Sequence, residues 1–236
     1  MAFFALVHGG AHGGWCWEDL VPALQKLGHQ CSAPDLPLGD PHGASDWADT
    51  VAASIPSEER DVVVVAHSLG GLCLPVVAAR RPVARMVFLC AMVPVPGTSY
   101  LEVLAEENDA VKTVDIASTI RDAVEPLNAG NEVMPYEQAL AMFYGDLPEE
   151  KARAAWRRLR GQGLTAFTEV CPIDVWPDVP STYILATEDG AVSNDWSRRV
   201  ARGRLGADLV ELPGSHSPFY SRPDELAKVL DGLRRR

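Results

Sequence analysis

The sequence predicts a single α/β domain: a mostly parallel, doubly wound sheet of about six strands carrying a helical cap. Three observations point there. Short β-rich runs alternate with helical patterns along most of the chain, the order that gives a parallel sheet with helices on both faces. Several of these runs are apolar at every position, as in VVVVA at 62–66, which suits strands covered on both sides. Between the runs near 90 and 181 the alternation stops, and only helical patterns such as LEVLAEEN, YEQALAMFYG and EEKARAAWRRLRG remain.

In chain order the expected strands are 3–7, 29–33, 61–66, 85–91, 181–186 and 207–212. The expected helices are 17–27, 46–55, 69–80, 194–205 and 224–235. The opening MAFFALVHGG has no basic region and no small-residue cleavage site, so it reads as a first strand and not as a signal peptide. One domain spans 1–236, with a core of 1–98 and 178–236 and a cap of about 99–177. No linker or internal repeat divides it. At 236 residues with 47% hydrophobic content, the chain is long enough to bury one large core.

Composition narrows the function. A net charge of −11 disfavours nucleic acid and anionic membranes as partners. The apolar runs at 62–66 and 86–96 are far shorter than the ~20 residues that span a bilayer. The terminal Arg234, Arg235 and Arg236 form a local basic exception, placed to complement the negative end of the last helix. Five cysteines (16, 31, 73, 90 and 171) form no CxxC or Cys/His pairing. A reducing cytoplasm, no metal site and no cofactor are therefore expected.

The chemistry is expected at Ser68. The valine strand runs into Ala66-His67-Ser68-Leu69-Gly70-Gly71, and an apolar helix follows at once. A strand–turn–helix with small residues two before and two after a serine is a nucleophile elbow. Here the pattern is A-x-S-x-G, one methyl away from the usual G-x-S-x-G. A serine hydroxyl needs a base, and histidine titrates in the useful range. With the order serine, acid, histidine that such sheets use, only His216 follows Ser68. It lies in the turn-rich LPGSHSP after the last strand. The acid is expected after the strand 181–186, where Glu188 and Asp189 both occur. Asp189 is favoured because Gly190 follows it, and Glu188 is the reserve. The acid would fix the imidazole tautomer and stabilise the imidazolium.

An oxyanion needs backbone N–H donors, worth roughly 3 kcal/mol each. Leu69, directly after the nucleophile, is one candidate. The other is Gly10, in the glycine-rich HGGAHGG after the first strand, where glycine allows close backbone approach. That loop lacks both the G-x-G-x-x-G spacing and a P-loop Gly-Lys-Ser/Thr. His8 and His12 are expected to brace the loop, and Trp15 and Trp17 to be structural.

The segments LVHGGAHGGWCWEDLVPAL, GHQCSAPDLP, AHSLGG, VFLCAMVP, MFYGD, YILATEDGAV and PGSHSPF follow one another in an order that resembles the plant methylesterase and hydroxynitrile lyase group of α/β-hydrolases. The resemblance implies an α/β-hydrolase fold, a triad of Ser68, Asp189 and His216, and oxyanion donors at Gly10 and Leu69. Lyases of that group typically carry a threonine after the histidine of the first loop and a lysine after the catalytic histidine. The corresponding residues here are Gly9 and Ser217, so the resemblance favours ester hydrolysis.

The expected activity is thus a serine esterase acting on a small, hydrophobic or aromatic carboxylic ester, with homodimer formation left open. Met142, Phe143, Tyr144, Phe167 and Trp176 of the cap, with Phe219 beside the histidine loop, are the expected pocket residues. Two other readings stand beside this one. The same triad could serve a non-hydrolytic enzyme, such as a hydroxynitrile lyase or a biosynthetic cyclase or decarboxylase. The fold could also serve a ligand-binding, receptor-like protein.

Overall fold

The computed structural model describes residues 1–112 and 133–233. Six strands form one sheet: β1 (Phe3–Val7), β2 (Gln30–Ser32), β3 (Val62–His67), β4 (Arg85–Leu89), β5 (Ser181–Ala186) and β6 (Asp208–Leu212). Their order is β2-β1-β3-β4-β5-β6, and every pairing is parallel. The chain leaves β1 for β2 on one side and returns to β3 on the other. The gap between the carboxyl ends of β1 and β3 is therefore the switch point where ligands bind on such sheets.

The valine run shows why this sheet is buried on both faces. Side chains alternate along a strand, so Val62 and Val64 enter one apolar cluster and Val63 and Val65 the other. The first cluster is closed by α2 (Ala44–Ala53) through Trp47 and Val51, α3 (Leu74–Arg80) through Val76 and Val77, and α8 (Asn194–Gly203) through Trp196 and Val200. The second is closed by α1 (Leu20–Lys26) through Leu20 and Leu24, and by α10 (Pro223–Leu233) through Leu226 and Leu230.

Two expected helices are divided, and proline explains both. The pattern at 17–27 becomes a 3₁₀ turn at Gly14–Trp17 followed by α1, which begins at Leu20. Pro22 lacks an N–H and is tolerated only in a first turn. The pattern at 69–80 becomes a 3₁₀ turn at Ser68–Leu72 and then α3, with Pro75 in its opening turn. A short helix, α9 (Pro218–Ser221), was not expected from the sequence. The last helix is described to Leu233, so Arg234, Arg235 and Arg236 lie outside the described residues.

Between β4 and β5 the described residues form α4 (Tyr100–Glu106), α5 (Tyr136–Phe143), α6 (Glu149–Trp156) and α7 (Thr165–Thr168). Ser99 starts α4 with a capping box: Glu102 N–H donates to Ser99 Oγ at 3.3 Å, and Ser99 N–H donates to the Glu102 carboxylate at 2.9 Å. Two isolated bridges, Ser99 with Val170 and Val111 with Val192, are the extended pairings of this segment among the described residues. The stretch after α6 crosses the carboxyl ends of the strands. Arg160 N–H donates to Ala11 O and Gly163 N–H to Leu38 O, both at 2.7 Å. Among the described residues no helix is long and apolar enough to cross a membrane.

Candidate active site

Ser68 stands at the tip of the turn that leaves β3, with φ +52°. This left-handed conformation is costly for any residue bearing a Cβ. It is held by its surroundings: Met92 N–H donates to Ser68 O at 2.9 Å, and the turn is pressed against β1. A Cβ built on Gly70 would stand 2.4 Å from the carbonyl oxygen of His8, so the glycine two after the serine is required by close approach. Ala66 fills the position two before it and is fully buried; its methyl joins the apolar cluster and leaves the elbow intact. Ser68 itself is 8% exposed.

The loops after β5 and β6 bring Asp189 and His216 together. His216 Nδ1–H donates to the Asp189 carboxylate, 2.9 Å from each oxygen. Both residues are buried. Oδ1 also accepts from the N–H groups of Ala191 (2.8 Å) and Val192 (2.9 Å), so the carboxylate is fixed by its own turn before it meets the imidazole. Glu188 is exposed, and its N–H donates to Gly214 O. Gly190 matters for space and not for aim: a Cβ there would stand 2.1 Å from the Ala141 carbonyl oxygen at the end of α5. With Nδ1 donating, Nε2 of His216 is the acceptor of the neutral ring. It is buried and has no hydrogen-bond partner.

The loop after β1 is braced by two neutral histidines. His8 Nδ1–H donates to Gly9 O at 2.8 Å, and its Nε2 accepts from Leu36 N–H at 2.9 Å. His12 Nδ1–H donates to Gly10 O at 2.8 Å, and its Nε2 accepts from the Tyr144 hydroxyl at 2.9 Å. Burial is the main cause that lowers their pKa values, His8 to about 4 and His12 to about 3. Arg160 clamps the same loop, its guanidinium donating twice to His12 O at 2.9 and 2.7 Å. Gly10 lies against Leu69: a Cβ on Gly10 would stand 3.1 Å from Leu69 Cδ2. Leu69 is the second residue of its 3₁₀ turn, so its N–H has no acceptor within that turn.

The expected pocket residues separate. Phe143 faces the site, its ring 5.7 Å from His216 and 5.2 Å from His12. Tyr144 is fully buried and serves His12. Phe219 is also fully buried, wedged 4.7 Å from Trp17 and 4.8 Å from His67, beneath the site and not on its wall. Met142 is half-buried in the cluster that holds Phe143, and Phe167 packs into the cluster that holds Leu69. Trp176 packs onto the face of the sheet, its ring 6.4 Å from Phe88 of β4, and it also lines a depression of about 450 Å³ with Pro180, Ser181 and Gly206.

Three residues escaped the sequence reading. Cys90 follows β4 with φ +47°, and its thiol, the Asp189 carboxylate and the His216 ring nitrogen lie within 4.8 Å of one another. Burial first, and the Asp189 charge second, push this thiol far above its ordinary pKa. A protonated thiol beside a carboxylate already committed to three donors is a poor metal-ligand set. His67 donates from Nε2 to the backbone oxygen of His216 at 2.9 Å. Gln162 reaches over Gly10. The one sequence signal for Cys90 was its place directly after a buried strand; for the other two there was none.

The comparisons agree with this architecture. The chain is 27% identical over 242 residues to a pyrethroid hydrolase of Sphingobium wenxiniae, covering 95% of this chain and 85% of that one. It is 27% identical to methyl jasmonate esterase 1 of Vitis vinifera (98% and 95% covered) and 28% identical to polyneuridine aldehyde esterase of Rauvolfia serpentina (96% and 93%). A crystal structure of polyneuridine aldehyde esterase shares the fold with a TM-score of 0.79 at 24% identity, covering 99% of each chain. The model of the alpha/beta hydrolase family matches residues 4–229, and the chain belongs to that family.

Proposed function

We propose that this α/β-hydrolase is a serine esterase that cleaves a small, hydrophobic or aromatic carboxylic ester through Ser68, His216 and Asp189. One observation carries the reading. The Asp189–His216 bond fixes the imidazole so that the basic Nε2 is left without a partner, in a site whose serine stands on a strained elbow. His216 Nε2 takes the Ser68 proton as Oγ bonds to the ester carbonyl carbon. The N–H groups of Gly10 and Leu69 hold the resulting oxyanion. As the tetrahedral species collapses, the C–O bond to the alcohol breaks and the alcohol leaves with the proton from His216. Water, deprotonated by His216, then attacks the acyl-enzyme; the acyl C–O bond to Ser68 breaks, His216 returns the proton to Oγ, and the acid leaves. Ser68 Oγ is not a partner of Nε2 in the free protein, and such bonds commonly tighten only when substrate binds.

Steric room favours hydrolysis over the lyase alternative. A Cβ on Gly9 would stand 2.7 Å from Ser68 Cβ and 3.0 Å from His67 Nδ1, so no larger residue fits there without moving the nucleophile. Phe143 supplies the apolar wall expected for a hydrophobic ester, and the relatives named for methyl jasmonate and pyrethroid esters support that class. We read 99–177 as a cap on the core of 1–98 and 178–236. The five free cysteines support a reducing, cytoplasmic setting.

The test is intact mass after a small fluorophosphonate, on the native protein and on Ser68→Ala, beside turnover of p-nitrophenyl acetate. One adduct, absent from Ser68→Ala, with turnover lost in that variant supports the esterase. Adduct formation without turnover points to non-hydrolytic chemistry. No adduct on folded protein overturns the triad and favours a binding protein.

A further inference from the structure

We infer that Gln162 reads a hydroxyl on the carbon next to the ester carbonyl, so that the preferred substrates are 2-hydroxy acid esters. The inference rests on the esterase reading above and deepens it. Gln162 is set in place by its neighbours: Arg160 N–H is bonded to Ala11 O and Gly163 N–H to Leu38 O, one on each side of it. Its amide orientation follows from chemistry. Nε2 faces two backbone carbonyls, Leu38 O at 3.2 Å and Gly163 O at 3.1 Å. Carbonyls only accept, so the NH₂ group belongs on that side. Oε1 then points the other way, toward Gly10, where it stands 3.3 Å from the position of a Cβ on that residue.

That oxygen is buried and has no hydrogen-bond partner. Native proteins rarely leave such an acceptor without a protein donor, and an unpartnered one beside a reaction centre marks where a ligand donor belongs. The neighbouring groups fix what the donor is. Gly10 and Leu69 are the residues assigned to the ester carbonyl oxygen, and Leu69 Cδ2 shares the same contact region over Gly10. The donor must therefore sit within a bond or two of the carbonyl, which a hydroxyl on the adjacent carbon does. A neutral amide oxygen suits a neutral hydroxyl. Of the other unpartnered acceptors beside Ser68, His216 Nε2 is already required for the serine proton, and His67 Nδ1 faces Gly9 and not Gly10. A single acceptor on one side of the carbonyl also demands one hand at that carbon.

The test separates recognition from turnover. Binding of methyl (R)-mandelate, methyl (S)-mandelate and methyl phenylacetate is measured by calorimetry on full-length Ser68→Ala, which cannot consume them. One mandelate enantiomer is expected to bind about tenfold more tightly than methyl phenylacetate. Gln162→Met, of similar length and without the acceptor, is expected to bring that ratio to about one. The Leu38 carbonyl keeps the Gly163 N–H in this variant. Gln162→Glu, which keeps acceptor oxygens, is expected to retain the preference. Equal binding of the three esters, no binding of any, a preference that survives Gln162→Met, or its loss in Gln162→Glu each overturns the inference. Failure of the native protein to hydrolyse methyl phenylacetate or either mandelate would instead count against the esterase, and leaves the binding ratios to judge Gln162.

Discussion

His67 and His216 are joined ring to backbone: Nε2–H of His67 donates to the His216 carbonyl oxygen at 2.9 Å, with the two rings 4.5 Å apart. The residue before the proposed nucleophile thereby holds the residue that carries the base. Burial first, and the neighbouring His216 second, keep His67 neutral by lowering its pKa well below the ordinary value. This contact suits a positioning role for His67 toward the proposed base. His67→Phe keeps ring volume and removes the donor. It is expected to lower kcat on p-nitrophenyl acetate about tenfold or more with a smaller change in KM. His67→Gln, which retains an N–H donor, should recover part of that loss. Equal effects of the two variants would mean that only packing matters.

Asp189→Asn tests the tautomer argument. An amide NH₂ facing Nδ1 would turn the imidazole to the Nε2–H form, which cannot accept the serine proton. The expected loss in kcat is about four orders of magnitude. Because Oδ1 also holds Ala191 and Val192, the variant should retain its fold if the amide oxygen keeps those bonds. Circular dichroism and a thermal melt on the same sample check this. A loss in kcat below tenfold would remove Asp189 from the acid's role.

Gly9→Thr is expected to disrupt the elbow and not to create a lyase. The new Cβ meets Ser68 and His67 at 3.0 Å or less, a degree of overpacking that costs about 1–3 kcal/mol. The expected result is a lower unfolding temperature, reduced esterase turnover and no cleavage of mandelonitrile. Mandelonitrile cleavage in this single variant would show that the site yields where the structure says it is closed.

His8 and His12 give the protein a defined acid sensitivity. Their folded pKa values, about 4 and about 3, lie below the ordinary 6.5, so the unfolded chain binds more protons throughout the interval between. Stability therefore increases with pH across that window, and is at its full value above about pH 6.5. On acidification it falls, by at most about 1.4 kcal/mol per pH unit for each ring, levelling off below pH 3–4 as the folded rings also protonate. Urea midpoints measured from pH 7.5 to pH 4 should show this slope, and His12→Gln should reduce it. A midpoint independent of pH in both proteins would refute the assignment.

The sheet was legible because its strands are apolar at consecutive positions, as at 62–66, and because the helices lie between them. Pro22 and Pro75 explain the helix starts that periodicity alone placed too early. Ser68 and His216 could be picked out by chain order and turn residues. The choice between Asp189 and Glu188 could not be settled from their shared turn; burial separates them, with Asp189 against His216 and Glu188 in solvent. The packing of Trp176 on Phe88 joins residues far apart in the chain, and local sequence carried no signal for it. The contacts of His67 with His216 and of Gln162 with Gly10 bridge about 150 residues of chain. They depend on tertiary arrangement, for which local sequence carries no signal.

The left-handed backbone at Ser68 has a consequence for how such a protein can change over time. Glycine adopts that conformation without a steric penalty, whereas serine and alanine bear one on the order of 1 kcal/mol. Ser68→Gly should therefore melt at a higher temperature than Ser68→Ala, although neither carries the hydroxyl. Selection for thermal robustness alone would erode this position. A serine retained there against that preference would be one retained for its hydroxyl.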